Sequence, residues 1–419
     1  MGPIGLAALT ALVLSVPAEP GAGDDLLYGR VTTADGEVVE GFIRWDRNEA
    51  ALGDVLDGFR EISTENVREA ERLDPDFAAR QREARSLVAF GMRLTWDEDD
   101  QSDPPSSRAG IRFAHVASIE VLDRQSARLE LISGETLTFR SASTDLGSGL
   151  RELAITQDDG TERTFRWRSL ERVDFFPAPA DASPPQARRL YGTVTTWEDV
   201  ELAGNIAWDL DEILSTDILD GRAEGRDREI PFGDIAAVEW ESDRSARVVL
   251  RSGEEVVLRG TNDVNRDNRG IEISSPAFGR AVIRWEDFQR VRFEEPVDTS
   301  SPEPTYPPGA PIRGTVYAVD GRVLEGVVRW NNQASQLWES VRGRHADAQL
   351  AVEFGAISLL SKAGDDQVEV TLLNGSTFVL DETDSFDPEL GSRGVFVTAD
   401  GRPTRLVLWR DFDRLELSR

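Results

Sequence analysis

The stretch Tyr28-Gly29-Arg30-Val31-Thr32-Thr33 recurs as Tyr191-Gly192-Thr193-Val194-Thr195-Thr196 and, in shorter form, as Arg313-Gly314-Thr315-Val316. Self-similarity along a chain is the sequence signature of repeat architectures. Each copy continues into a short apolar run that ends in a tryptophan, at Trp45, Trp208 and Trp330. A second set recurs near the end of each copy, at Trp167, Trp285 and Trp409. We predict that these six tryptophans belong to repeated cores, in three tandem domains at 24–176, 188–295 and 312–419.

Two proline-rich stretches separate these predicted domains. The first runs from Pro177 to Pro185 and the second from Glu295 to Pro311. Proline removes backbone donors and favours extended polyproline-II geometry. We therefore expect both stretches to be semi-rigid spacers.

A shorter pattern recurs within each copy: an aromatic residue, any residue, a small polar residue, an apolar residue, two residues of any type and a last apolar residue. Phe232–Val238 and Trp285–Val291 close the front and back halves of the second copy in this way. Asn, Ser and Asp accept hydrogen bonds from nearby backbone N–H groups at turns. The pattern predicts a capped 3₁₀ turn in each half, loosest where Ala356 takes the polar position. The other copies are Phe113–Ile119, Trp167–Val173, Phe354–Leu360, Trp409–Leu415 and, in weaker form, Thr64–Ala70.

Between the turns, short runs rich in Val, Ile, Leu, Phe and Trp alternate with polar residues, as half-buried strands do. Arg247–Leu250 and Val256–Arg259, for example, flank Ser252-Gly253 as a hairpin would. The sequence therefore predicts an all-β fold. Each half is too short for a sandwich, and closing into a small barrel would hide its edge strands. The pattern leaves open whether the halves close separately or share sheets.

A turn-capped β-unit with a glycine-bent hairpin resembles the Sm-like small β-barrels. The longer phrase from Thr261 to Phe288 is similar to tandem repeats of exported bacterial proteins without assigned activity. The resemblance to Sm-like barrels would imply RNA binding or assembly into rings. However, 47 basic against 77 acidic residues give a net charge of −30, which argues against binding to nucleic acid or to an anionic membrane surface.

The first domain carries an insertion at about 71–109, because Trp45 and Phe113 lie farther apart than their counterparts Trp208 and Phe232. Asp74-Pro75-Asp76 combines a cap, a proline at the first helical position and an early acid, so it predicts a helix that ends near Phe90. The insertion is either a decayed repeat half or a helical hairpin packed on the barrel.

Ile4 to Val16 is an apolar run without a charged residue. Spanning a membrane takes roughly 20 such residues, so the run is too short, but it suits the core of a secretory signal. Val16-Pro17-Ala18 supplies small residues for cleavage. We predict a signal peptide at 1–18, a periplasmic or secreted protein and no transmembrane span after cleavage. No Lys or Arg precedes the run, so the signal is atypical or the true start lies upstream, and a buried N-terminal element is the alternative.

Catalytic motifs are missing from the sequence. The chain has no cysteine and two histidines, which excludes thiol catalysis, disulfides and Cys/His zinc sites. Neither Gly-x-Ser-x-Gly nor a phosphate-binding loop occurs. His115 takes a turn position and His345 lies in a loop. The adjacent Glu286 and Asp287 are the best pair for a carboxylate hydrolase, but neighbouring side chains point apart on a strand. We predict no enzymatic activity.

Two features suggest ligand binding. Asp263, Asn265 and Asp267 place oxygen side chains at alternate positions, which is what calcium prefers, although no acid follows where a bidentate glutamate is expected. An ordinary Asx-rich turn has the same composition. Trp197 and Trp338 lie outside the repeat register beside acidic loops, so they are the candidates for contact with a partner.

The sequence therefore favours a non-enzymatic exported repeat protein that acts as a binding or scaffold module in the cell envelope or outside the cell. Its expected partner is a protein or a glycan. A calcium- or carbohydrate-binding protein is the first alternative and a carboxylate hydrolase the second.

Overall fold

A computed structural model describes residues 26–75, 88–89, 92–93, 106–185, 187–294, 310–331, 333–381 and 394–418. The predicted signal peptide, Trp96, most of the predicted insertion and nearly all of the second proline-rich stretch lie outside these ranges. The described residues fold mostly into antiparallel strands, which confirms the all-β prediction. Within those ranges, no helix has both the length and the apolar character needed to cross a membrane.

Residues 26–176, here called the first segment, alternate short strands with tight turns. Their elements are β1 (Tyr28–Thr33), β2 (Val38–Trp45), β3 (Val55–Glu61), α1 (Thr64–Leu73), β4 (Val88–Ala89), β5 (Met92–Arg93), β6 (Ser106–Arg112), β7 (Val116–Val121), β8 (Ser126–Leu131), β9 (Thr136–Arg140), β10 (Leu153–Thr156), β11 (Glu162–Phe165) and β12 (Leu170–Phe175).

The second segment (188–294) and the third segment (310–418) are built in the same way. The second contains β13 (Tyr191–Thr196), β14 (Glu201–Ala207), β15 (Ile218–Ala223), β16 (Arg226–Pro231), β17 (Ile235–Ser242), β18 (Ser245–Leu250), β19 (Glu255–Arg259), β20 (Ile271–Ser275), β21 (Gly279–Ile283) and β22 (Phe288–Phe293). The third contains β23 (Arg313–Ala318), β24 (Val323–Trp330), β25 (Ser340–His345), β26 (Ala348–Glu353), β27 (Ile357–Lys362), β28 (Val368–Leu372), β29 (Thr377–Leu380), β30 (Gly394–Thr398), β31 (Arg405–Leu408) and β32 (Phe412–Leu417).

One strand order recurs in the three large sheets. Sheet A runs β11-β10-β2-β1-β12-β7-β8-β9-β3-β6. The second segment contributes β21-β20-β14-β13-β22-β17-β18-β19-β15-β16 to sheet B, and sheet C runs β31-β30-β24-β23-β32-β27-β28-β29. Strands from the front and back halves of each segment therefore lie in one sheet, which answers the question that the sequence left open.

Sheet B also crosses from one segment to the next, because β26 of the third segment pairs with β21. Five residue pairs run antiparallel from Gly279↔Val352 to Ile283↔Ala348. Gly279 has φ +110°, and a Cβ at this position would overlap the carbonyl oxygen of Ala351. Glycine thus permits both the backbone conformation and the close approach of the two strands.

Substituting Gly279 by alanine should destabilise the protein more than the same change at Gly36, another glycine with positive φ. Gly36 has open space around it, so alanine there meets only backbone strain of about 1–2 kcal/mol. Gly279→Ala adds a steric clash within the β21–β26 pairing. Urea unfolding of both variants would measure the difference, and equal losses would show that the close approach costs nothing.

The six predicted core tryptophans pack inward. Trp45 and Trp167 are buried in the core of the first segment. Trp208, Trp285 and Trp330 are buried in a core that the second and third segments share, and Trp409 is half-buried against it. The Trp45 indole N–H donates to the carbonyl of Asp145 at 2.8 Å, and Trp208 donates to the carbonyl of Asp263 at 2.9 Å. Buried indoles usually need such a partner. The core prediction for these residues is confirmed.

Five of the predicted turns are 3₁₀ turns, but the prediction of side-chain caps is wrong. At the predicted position, the third residue of the pattern, the Ser169 hydroxyl donates to the carbonyl of Arg166 at 2.8 Å and does not accept from a backbone N–H. The residue that precedes each of these turns makes no side-chain cap bond either. The backbone closes each turn instead, as when the N–H of Ile235 donates to the carbonyl of Phe232. Ala356 therefore needs no side-chain oxygen, and its turn is buried. The sixth copy, at Trp285, is a plain turn.

The weak copy at Thr64–Ala70 is not a 3₁₀ turn but part of helix α1. Ser63 caps this helix by accepting a hydrogen bond from the N–H of Asn66 at 3.2 Å. Asp74, the predicted start of a helix, is instead the C-cap of α1. The predicted end near Phe90 is also wrong, since Val88–Ala89 pairs as a strand with Met92–Arg93. Residues 76–87 lie outside the described ranges.

Helix α1 packs on the third segment. Its buried Ala70 contacts Phe396 of β30, and Glu69 binds Arg329 at 2.9 Å. Helix α1, which begins before the predicted insertion, therefore joins the first segment to the third across a large sequence distance.

Candidate functional site

Two of the three predicted calcium ligands, Asp263 and Asn265, accept backbone hydrogen bonds, and the third, Asp267, is exposed. The buried Asp263 carboxylate accepts from the N–H of Asp220 at 2.9 Å, so it tethers the loop to β15. The Asn265 side-chain oxygen accepts from the N–H of Asp267 at 2.6 Å, which closes a local turn. Asp145 accepts from the N–H of Asp57 in the same way in the first segment. Because Asp263 and Asp145 each accept a backbone N–H in their own segment, we infer that the aspartate at this position has a structural role.

A different acidic group has the geometry of a metal site. Among the described residues, Asp209, Asp211 and Glu212 bring carboxylate oxygens within 4.8 Å of one another. They lie in the turn after β14, where Asp209 and Leu210 adopt positive φ. Sequence reasoning missed this group because its members come together through an unusual backbone turn and not through a ligand motif.

Two arginines already neutralise this acidic group. Arg269 binds Asp209 at 2.9 Å and also contacts Asp211. Arg151 reaches across from the first segment and binds Asp211 at 2.8 Å. Burial, and then the charges of Asp211, Asp263 and Asp209, raise the pKa of Glu212 to about 9. Metal ligands must be deprotonated, so a proton held by Glu212 at neutral pH opposes cation binding.

We therefore expect calcium to leave the stability of the protein unchanged. A ligand that binds only the folded state raises the midpoint of thermal unfolding. Since we expect no calcium binding, the midpoint in millimolar calcium should equal the midpoint in EDTA. A rise that Asp211→Asn abolishes would show that calcium displaces the arginines.

The two candidate tryptophans differ in exposure. Trp197 is 47% exposed and packs edge-to-face on Trp240, with ring centroids 5.5 Å apart. Trp338 is 2% exposed and packs in the core of the first segment. This burial removes Trp338 from the candidate ligand-binding surface. Sequence position alone could not reveal it, because the core that covers Trp338 belongs to another segment.

The other sequence candidates form no catalytic arrangement. Glu286 and Asp287 both contact Arg284, at 2.8 and 3.0 Å, near the surface. Burial, and then the charge of Arg112, lower the pKa of His115 to about 4, so this imidazole is neutral. His345 is the last residue of strand β25 and not part of a loop, and its Nδ1 atom lies 3.0 Å from the carbonyl oxygen of Val379.

Buried ion pairs join the three segments at their common junction. Arg112 of the first segment binds Glu353 of the third at 2.6 Å. Arg189 of the second binds Asp54 of the first at 3.0 Å. Further pairs that cross between segments are Arg280–Asp57 at 2.6 Å, Arg60–Glu339 at 2.8 Å and the partly buried Arg44–Asp217 at 2.8 Å.

These pairs are the most distinctive chemistry in the described residues. Buried charges demand close partners, so the pairs fix how the segments pack against one another. No protein-family model, curated protein or solved structure matches this chain. The geometry of the junction and of the surfaces beside it is therefore what points to a function.

A half-open pocket of about 320 Å³ lies between the first and second segments. Phe42, Thr156 and Glu162 line it from sheet A, and Leu214 and Thr216 line it from the second segment. Pro185, the last residue of the first proline-rich stretch, forms another wall together with Ala187. We call this cavity the Thr156 pocket. Cavities of this size accept small ligands or single side chains.

Proposed function

We propose that the protein is a non-enzymatic binding or scaffold module that acts in the cell envelope or outside the cell. The observation that carries this proposal is the set of buried arginine–carboxylate pairs between the segments. In these pairs, buried ionisable groups connect one segment to another. Such connections favour a rigid body whose outer surface is available to a partner. Export rests on the apolar run from Ile4 to Val16.

We further infer that the chain consists of three tandem repeat domains, each derived from two small barrel-like halves. The common strand order of the three sheets supports this inference. Linking similar domains raises the effective concentration of each for a partner that carries repeated features. The acidic excess of the chain favours a basic or neutral partner, such as a protein or a glycan, over nucleic acid.

Carbohydrate binding is the second candidate, because Trp197 presents about half of its surface to solvent. Calcium dependence and carboxylate hydrolysis gain no such support from Asp263 or from the Glu286–Asp287 pair.

Immobilised full-length protein should retain a defined envelope protein or glycan, identified by crosslinking and mass spectrometry. An unrelated acidic protein of similar net charge is the control, because anything it retains is captured by non-specific ionic attraction. Retention by both proteins alike would contradict the proposal. Loss of retention in Trp197→Ala, with unchanged unfolding, would favour the carbohydrate candidate.

A further inference from the structure

The contact between the first and second segments has two similar sides. On one side, Asp54 accepts hydrogen bonds from the N–H groups of Ala50 and Ala51 and binds Arg189. On the other, Asp217 accepts from the N–H groups of Ile213 and Leu214 and binds Arg44. Each segment thus offers the same aspartate-capped loop to its neighbour.

An arginine fills one side of this contact. The Arg112 guanidinium donates to the carbonyl of Gly53 at 2.6 Å and to the carbonyl of Ser275 at 3.1 Å. It also lies 3.4 Å from the hydroxyl of Ser274 and 2.6 Å from the carboxylate of Glu353. Polar groups of all three segments therefore enclose this cation, with the first and second supplying neutral oxygens and the third supplying the carboxylate.

The Thr156 pocket is the counterpart on the other side. Thr156 in the first segment is equivalent to Ser274 in the second. Ser274 pairs across the sheet with Arg280 and Asn205. Thr156 pairs in the same register with Glu162 and Phe42. A hydroxyl is therefore present at both places, but Glu162 replaces Arg280.

Pro231 takes the position of Arg112. Both residues precede a 3₁₀ turn with nearly the same backbone angles, φ −67° for Arg112 and φ −59° for Pro231. The following N–H donates to the carbonyl of Asp54 in one case and of Asp217 in the other. Because proline cannot reach inward, the space that holds a guanidinium on one side stays open on the other.

The chemistry of the pocket suits an arginine from outside. Its apolar walls, including Phe42 and Leu214, can cover an aliphatic stem, and Glu162 supplies a negative charge at the exposed end. Arg44, the cation within the pocket, is already bound by two hydrogen bonds of 2.8 Å to Asp217.

We propose that the Thr156 pocket binds the guanidinium of an arginine side chain from a basic partner protein. This inference rests on the proposed binding function and names the chemistry that the partner presents. Glu162 is the charge that recognises the guanidinium, and Thr156 and Thr216 lie where the counterpart residues contact Arg112.

Titration of the full chain with acetyl-arginine amide, followed by NMR or calorimetry, tests the proposal. We expect saturable binding, and about tenfold weaker binding of the uncharged isostere acetyl-citrulline amide. Glu162→Gln should weaken binding of the arginine amide by a similar factor, whereas Glu171→Gln, at an exposed position, should leave that binding unchanged. Equal binding of the two amides, or no effect of Glu162→Gln, would overturn the proposal.

Pro231→Arg provides an independent test, since the new side chain should occupy the pocket from within. We expect it to abolish binding of the arginine amide while the chain stays folded. Thr156→Val provides a second variant if Pro231→Arg does not fold. Capture of an envelope partner that is unaffected by these variants would overturn the pocket assignment but leave the proposed function standing.

Discussion

Replacing Glu353 by leucine is expected to lower the free energy of unfolding by about 3–5 kcal/mol. The guanidinium of Arg112 is 2.6 Å from the Glu353 carboxylate, and its side chain is only 8% exposed. Loss of the carboxylate would leave a buried positive charge held only by neutral oxygens, among them the carbonyl of Gly53. Because the three segments meet here, the loss should also loosen their packing.

An exposed pair of the same length gives a matched control. Arg30 and Glu40 also lie 2.6 Å apart, but their side chains are 47% and 43% exposed. Glu40→Leu should therefore cost no more than about 1 kcal/mol. The double variant Arg112→Met with Glu353→Leu should recover part of the stability, since it removes the unpaired charge. Urea unfolding measures all three, and a loss for Glu353→Leu no greater than for Glu40→Leu would contradict this account.

The sequence was sufficient to predict the strands because their information is local. Alternating residues around Ser252-Gly253 predict a hairpin, and β18 pairs with β19 in the structure. The recurrence of Trp45 and Trp208 likewise predicts equivalent core positions. The capping prediction failed because it assigned to side chains such as Asp234 a role that the backbone performs by itself.

The junction could not be predicted, because its partners are distant in the chain. Arg112 and Glu353 are separated by 241 residues, and no local pattern indicates that they meet. The burial of Trp338 has the same origin. One signal was available: Asp54, Asp217 and Glu339 are acids at equivalent positions, and each accepts two backbone N–H groups of its own loop. Such acids are natural partners for arginines of a neighbouring segment.

Substituting Glu212 by glutamine should make the protein less sensitive to alkaline pH. Burial first, and then nearby acids, raise the pKa of Glu212 to about 9, from an ordinary value of 4.5. The folded state therefore holds a proton that the unfolded state releases. This contribution to stability is fully present below pH 4.5 and is lost as the pH rises towards 9. Glutamine mimics the neutral acid at every pH, so the variant avoids that loss.

Between pH 5 and pH 8 the difference in unfolding free energy between the variant and the wild type should change by roughly 4 kcal/mol in favour of the variant. Urea unfolding across this range measures it. Glu49 is the buried counterpart of Glu212 in the first segment. Burial, and then the charge of Asp145, raise the pKa of Glu49 well above its usual value. Glu49→Gln should therefore shift stability in the same direction. Glu171→Gln, at an exposed position, should follow the wild type. If Glu212→Gln also followed the wild type at every pH, Glu212 would be ionised in the folded protein, and its carboxylate would then be available to a cation beside Asp209 and Asp211.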